Sequence, residues 1–430
     1  MKSLGGFFGL EQHNTSVRKE VMAGVVGFFT IVYIVAVNAL ILSESGMPFE
    51  GAVIATIAAS ALGCILMAIV GNAPIILVPG MGVNAMFTYT LVHGMGFTWQ
   101  EALGIVAVSG FLFVIVAFTK LSSVLTTAIP QSLKDAITVG LGLFLLLIGL
   151  EKGSLVVSGN NSIMEIGDLA QPTALATVLT FLVALILFIK NVKGHFLWTI
   201  LFGTALAFLM NIEPSANVNQ TRITSPSFIW FELSFSKWLE VPFWIGIFSL
   251  TMVLVFENIG LISGHVDFIK RPEAFNRALN ANALSAFSSG FLGTSPTVAT
   301  VESTASMAAG GRTGLTSLTT GLLFIVSAMF IPYMGYIPDH AIAPILIIIG
   351  VLMIQHIRHM NLEDLTESIP SIMLIVMIPF TFSIADGIAV GFILYPFIKF
   401  MTGRAKEVSV TLYLIAALFL LYFILHFLTF

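Results

Sequence analysis

The chain has 430 residues, of which 57% are hydrophobic and 9% charged, with a mean hydropathy of +1.01. Soluble domains carry about 25% charged residues, so a soluble globular fold is excluded and a polytopic membrane protein is expected. The net charge of −4 offers no basis for binding nucleic acid, and a single cysteine, Cys64, rules out an internal disulfide or a cysteine-based metal site.

Apolar runs of about 20 residues mark membrane-spanning segments. In chain order they fall at 21–43, 52–70, 75–92, 101–118, 134–150, 173–188, 195–210, 242–263 and 277–293. A broken tenth segment within 290–315 is followed by segments at 315–331, 341–357, 370–384 and 387–400, with an apolar tail, 408–430, left over. The first 20 residues lack an apolar core with a cleavage site, so the first segment is expected to direct insertion itself. Lysine and arginine test the count of fourteen, because cytoplasmic loops hold the excess of positive charge. With a cytoplasmic N-terminus, 15 of the 18 fall inside and only Lys152, Arg222 and Lys237 fall outside.

Segment 10 is the most unusual, being too polar for an ordinary span and carrying Glu302 near its middle. Pro296 cannot donate a backbone hydrogen bond and disfavours helix before it, which predicts an extended approach up to Pro296 and a half-helix after it. Broken backbone at membrane depth survives only inside protein or against a water-filled cavity, and a carboxylate there marks a functional site.

The two halves of the chain repeat. Residues 27–38 lie over 246–257 without a gap, setting Asn38 opposite Glu257, and 79–84 lie over 296–302 with one inserted residue, setting Asn84 opposite Glu302. Farther on, Gly110 matches Gly321, Pro130 matches Pro338 and Gly140 matches Gly350, in the same order. Halves of seven segments each, an odd number, enter the membrane from opposite sides. Such an inverted repeat with paired interrupted segments points to a transporter site between them. Half-helices starting near Gly80 and Pro296 would aim unsatisfied N–H groups at one cavity, completed by Asn84, Glu302, Glu257, Asn38 and Asn258. With carboxylates and no basic residue at mid-depth, the site suits a small neutral molecule rich in N–H groups better than an inorganic anion.

These residues carry a family resemblance. Pro79-Gly-Met-Gly-Val-Asn-Ala-Met-Phe-Thr-Tyr, Phe256-Glu-Asn-Ile-Gly, Gly293-Thr-Ser, Val301-Glu-Ser, Ala308-Ala-Gly-Gly-Arg-Thr-Gly and Ser383-Ile-Ala-Asp-Gly-Ile-Ala together resemble the nucleobase:cation symporter-2 superfamily, most closely its AzgA-type purine permeases. The resemblance implies an all-α, UraA-like fold of fourteen segments in a 7+7 inverted repeat, with short extended stretches in segments 3 and 10. It implies a core domain from 1–130 and 240–335, a gate domain from 131–239 and 336–407, and the tail 408–430 apart. It further implies proton-coupled import of adenine, guanine or hypoxanthine across the inner (plasma) membrane by a homodimer, with no cofactor beyond the coupling proton. The expected substrate-binding residues are Asn84, Glu257, Glu302, Asn38 and Thr300, with proton coupling assigned to Glu257 and, second, Glu302. Departures from the family pattern at Glu257-Asn-Ile-Gly-Leu and Ser295-Pro296 bear on which purine is accepted.

Other conspicuous residues have plainer readings. His265, His356 and His359 are expected to be solvated loop residues, and Asp386 to cap the start of segment 14. The glycosylation patterns at Asn14, Asn160 and Asn219 are expected by chance. Ser263 with His265 lacks the strand-turn-helix context of a hydrolase nucleophile, so an enzyme is not expected. Two alternatives stay open: a channel or anion carrier of the same fold, which would place helix N-termini and a positive side chain at the site, and a uracil- or xanthine-type symporter.

Overall fold

A computed structural model describes residues 6–122, 128–159, 162–212 and 228–429. Asn160, Asn219 and Arg222 lie outside the described residues.

The chain is a bundle of apolar helices. Among the described residues nine are long and apolar enough to cross a membrane, and His195–Met210, Leu365–Thr381 and Val410–Leu421 are shorter apolar helices. The expected segments that fall short of that standard have visible reasons. Segment 9, the helix Phe275–Leu292, is lowered in hydropathy by Asn282, Ser285 and Ser289, all buried. Segments 3 and 10 are broken.

Local chemistry sets several helix starts. Ser16 accepts from the Lys19 N–H ahead of Val17–Ile31. Thr98 and Glu101 cap each other's backbone ahead of Trp99–Phe118, a reciprocal capping box. The cap of segment 14 is not Asp386, as expected, but Ser383, whose hydroxyl accepts from the Asp386 N–H at 3.2 Å. The helix begins three residues earlier because a serine in extended conformation (φ −131°) reaches the third N–H of the turn, the favoured capping geometry. His265 is likewise not a loop residue: segment 8 runs over Val241–Phe268 and buries it to 3% exposure.

Segments 3 and 10 meet in an antiparallel two-stranded ribbon, Leu77–Pro79 against Thr297–Ala299, with Val78 opposite Val298 at its centre. The Gly80 N–H extends the pairing to the Pro296 carbonyl at 3.2 Å. The half-helix expected directly after Pro296 starts only at Ser303. Staying extended through Ala299 lets each broken segment satisfy the other's backbone groups in a place closed to water. Gly80 is required by the close approach, since a Cβ there would lie 2.5 Å from Val298 Cγ2. Beyond the ribbon, segment 3 continues as the helix Met81–Ala85 and then as a π-helix, Met86–Gly94.

The packing is unchanged in pattern when the halves are exchanged. Segment 4 packs along segments 8 and 9; correspondingly, segment 11 (Gly314–Ser327) packs along segments 1 and 2. Segment 5 (Gln131–Lys152) lies against segment 12 (Asp339–Ile354), its own repeat partner, as segment 3 lies against segment 10. Segment 5 against segment 13 is matched by segment 12 against segment 6 (Pro172–Ile189). An inverted repeat built from interlocked halves produces this exchange symmetry.

Two groups of helices result. Segments 1, 2, 8 and 9 pack around the ribbon of segments 3 and 10, segments 4 and 11 pack on those helices, and segments 5–7 and 12–14 pack on one another. Lys152 of the second group joins Glu44 of the first and lies 3.6 Å from Asp339, while the Tyr89 hydroxyl donates to Glu44 Oε2 at 2.8 Å. At the far end of the second group, fully buried Lys399 contacts Glu367 at 2.8 Å and Glu407 at 2.9 Å. Hydrogen bonds from Thr366 and then Arg404 hold Asp364 below the usual carboxylate range, and Arg404 and then Lys399 hold Glu407 down at about 2. The tail forms a helix, Val410–Thr429, whose Phe419 packs on Phe392 of segment 14 and Phe248 of segment 8.

Candidate functional site

Glu302 sits immediately before the helix Ser303–Ala308, and its carbonyl accepts from the Ala305 N–H at 3.0 Å. Its carboxylate Oε1 accepts a hydrogen bond from the Tyr33 hydroxyl at 2.7 Å. Tyr33 lies where segment 1 is distorted, between Val17–Ile31 and Ile34–Glu44. There the backbone tightens to three-residue turns, Val35 N–H to Val32 O and Ala36 N–H to Tyr33 O, each at 3.2 Å. The Tyr33 ring meets Phe196 of segment 7 edge-on at 4.9 Å, so a single side chain links Glu302 to the second helix group.

Asn84 is fully buried on the short helix Met81–Ala85. Its Nδ2 donates to the Asn38 carbonyl at 3.5 Å, and its Oδ1 has no partner among the described residues. Glu257, midway along segment 8, leaves Oε2 buried and likewise unpartnered among the described residues. Segment 8 packs against the strand and short helix of segment 10 and against Met81–Ala85, so the helix bearing Glu257 adjoins the elements that bear Asn84 and Glu302. Buried polar atoms are nearly always hydrogen-bonded, and these two orphans are both acceptors. A molecule presenting N–H groups would satisfy them.

The amides beside this cluster are already committed. Asn38 donates to Thr56 Oγ1 at 2.8 Å and Thr294 Oγ1 at 3.1 Å and accepts from the Ser295 hydroxyl at 3.2 Å. Through these bonds Asn38 fastens segments 1 and 2 to the approach of segment 10. Asn258, expected to complete the cavity, accepts from the Ala299 N–H at 2.9 Å and from Asn282, and donates to the Leu254 carbonyl at 2.8 Å. Thr300 is buried at the turn into the half-helix, its hydroxyl 3.5 Å from that of Ser303. Ser303 in turn accepts from the Ile76 N–H at 3.0 Å, tying the half-helix of segment 10 back to segment 3.

Sequence reasoning missed Tyr33 and Phe196. The available signal was a phenol in the middle of an apolar segment whose repeat counterpart is Met252. A buried tyrosine hydroxyl needs a polar partner, and a carboxylate in the other half supplies one.

The family profile described as "Permease family" matches residues 18–390. The chain belongs to that permease family, the nucleobase:cation symporter-2 superfamily. It is 47% identical over 381 residues to "Nucleobase transporter PlAzg2" of Paenibacillus larvae, covering 88% of this chain and 76% of the relative. It is 34% identical to "Guanine/hypoxanthine permease PbuO" of Bacillus subtilis, over 96% of this chain and 98% of that one. The same identity, 34%, relates it to "Adenine permease AdeP" of Escherichia coli, over 96% of this chain and 94% of the relative. Among solved structures, the transmembrane domain of the cyanobacterial bicarbonate transporter BicA superposes with a TM-score of 0.64 at 15% identity, over 87% of this chain and 97% of that one. That likeness carries the inverted-repeat fold and nothing about cargo. This member of the symporter superfamily is a transporter and not an enzyme.

Proposed function

We propose that the protein imports purine nucleobases (adenine, guanine or hypoxanthine) across the plasma membrane in symport with protons. The observation that carries the reading is the pair of buried acceptors without partners, Asn84 Oδ1 and Glu257 Oε2, on helices that adjoin Glu302. A planar base rich in N–H donors fits that set, whereas an anion would face two carboxylates with no basic side chain at the ribbon. The relatives named above for purine transport support the same cargo, and their equal identities leave adenine and guanine/hypoxanthine on an equal footing.

In this reading Glu302 and Asn84 hold the base directly, Thr300 completes the turn beneath it, and Asn38 acts as a positioning residue. The helices around the ribbon are the core and segments 5–7 and 12–14 the gate, and rocking of one group against the other exposes the site to each side in turn. Glu257 carries the coupling proton, because a protonated Glu257 and a neutral base load without leaving a net buried charge. Its repeat partner Asn38 cannot titrate. At about 100 mV one carried charge is worth about 2.3 kcal/mol, or roughly 50-fold accumulation. The N-terminus is cytoplasmic, following the lysine and arginine distribution, and the homodimer is taken from the resemblance.

The test is counterflow in liposomes with labelled adenine, guanine, hypoxanthine, uracil and sulfate. One or more purines should exchange, with uracil and xanthine competing poorly. Exchange of sulfate without purine would make the protein an anion carrier, and uracil competing as well as adenine would move it to the uracil branch.

A further inference from the structure

Away from the ribbon, the second helix group brings together three side chains whose chemistry is that of a metal site. Asp135 lies near the start of segment 5, and His356 and His359 lie on the 3₁₀ turn Gln355–His359 that ends segment 12. A 3₁₀ turn has three residues per turn, so positions 356 and 359 eclipse and present both imidazoles on one face. Their rings meet edge-on at 5.6 Å. His356 Nδ1 is 3.7 Å from Asp135 Oδ1, and one ligand atom from each of the three residues lies within 4.8 Å of the others.

We infer that Asp135, His356 and His359 form a binding site for a divalent transition-metal ion of the Zn²⁺ class. Two imidazoles and a carboxylate suit Zn²⁺, whereas Mg²⁺ and Ca²⁺ favour all-oxygen sets. Bond lengths of about 2.0–2.1 Å place tetrahedral ligand atoms about 3.3–3.5 Å apart, so the 3.7 Å pair is nearly in place and the third ligand closes by a side-chain rotation. The carboxylate is already oriented: Gln131 Nε2 donates to both Asp135 oxygens at 3.2 Å, the supporting contact that metal-bound carboxylates use. Asp135 is 5% exposed while the His356 side chain is 44% exposed. One anionic ligand is thus anchored in the protein and the histidines face solvent, leaving a fourth position open to water and giving the ion a way in. Bound there, the ion would clip the start of segment 5 to the end of segment 12, its repeat partner. No other group of three such side chains among the described residues comes as close together.

The test uses the full chain in detergent without a histidine tag, titrated with Co²⁺ read by visible d–d absorption and with Zn²⁺ read by competition against a chromogenic chelator. One equivalent should bind with a tetrahedral or five-coordinate spectrum, and neither Mg²⁺ nor Ca²⁺ should displace it. His359→Ala and His356→Ala, both at exposed or half-exposed positions that leave the fold intact, should each weaken binding about tenfold or more. His13→Ala, a histidine outside the cluster, should leave it unchanged. Zn²⁺ binding by the His356→Ala/His359→Ala double variant as tight as by the wild type, or no binding by the wild type, would overturn the assignment.

Discussion

Segments 3 and 10 occupy equivalent places in the two halves and share a backbone solution: three extended residues and then a short helix, joined across the ribbon, with a proline that closes the strand in segment 3 (Pro79) and precedes it in segment 10 (Pro296). Their side chains diverge. Segment 3 carries Asn84, buried and incapable of titration, on the short helix after its strand and runs on into a long π-helix; segment 10 offers Glu302 and stops after six helical residues. The same division separates Asn38 from Glu257 in segments 1 and 8. At these paired positions the first half carries amides and the second half carboxylates, and in the proposed function one half anchors the base while the other responds to protons.

The sharpest attack on this comparison is Glu302→Gln, which leaves an amide at both paired positions of the broken segments. Purine affinity measured by titration calorimetry should fall by more than about 100-fold, since a hydrogen-bonded carboxylate site strongly rejects loss of its matched group. Wild-type affinity in a folded variant would remove Glu302 from the site. Glu257→Gln tests the responsive half differently. Gradient-driven accumulation in liposomes, roughly 50-fold at about 100 mV, should collapse to equilibration while purine exchange persists. If uphill uptake survives, the proton resides elsewhere.

Asn84→Ala probes the anchoring half. It should weaken binding by about 1–3 kcal/mol, the range for a buried partner left unpaired, with the proton dependence of uptake unaltered. A changed proton dependence would break the division of labour between the halves. Tyr33→Phe should have the smallest effect, about 0.5–1.5 kcal/mol in purine affinity, because it deletes one hydrogen bond to Glu302 and keeps the ring against Phe196. A loss as large as that of Glu302→Gln would mean that the phenol itself contacts the base.

Much of this was legible from residues. Apolar runs place most of the segments within a few residues, because lipid demands an apolar composition of an ordinary span. The repeat locates both breaks, since proline has a local backbone consequence wherever it stands. What escaped depends on partners distant in sequence. Segment 10 stays extended past Pro296 because segment 3 pairs with it; Tyr33 finds its hydrogen-bond partner in Glu302, 269 residues away in the chain. Asn38 has the composition of a ligand-binding amide, yet Thr56, Thr294 and Ser295 occupy it. His265 and the pair His356 and His359 read alike as solvated loop residues, but one is buried on its helix and the others share a face beside Asp135.

The ribbon has a thermodynamic consequence. Backbone hydrogen bonds between Leu77–Pro79 and Thr297–Ala299, extended by Gly80 to Pro296, lock the carriers of Asn84 and Glu302 to each other, and Ser303 bolts the half-helix onto Ile76. Under the proposed alternating access, binding groups held in one frame keep their spacing whichever way the cavity opens, so their contribution to the dissociation constant is the same on both faces of the membrane. Such a carrier has no built-in direction. Run with the gradients reversed, it should export purine as readily as it imports it, and the cell sets the sign of the flux.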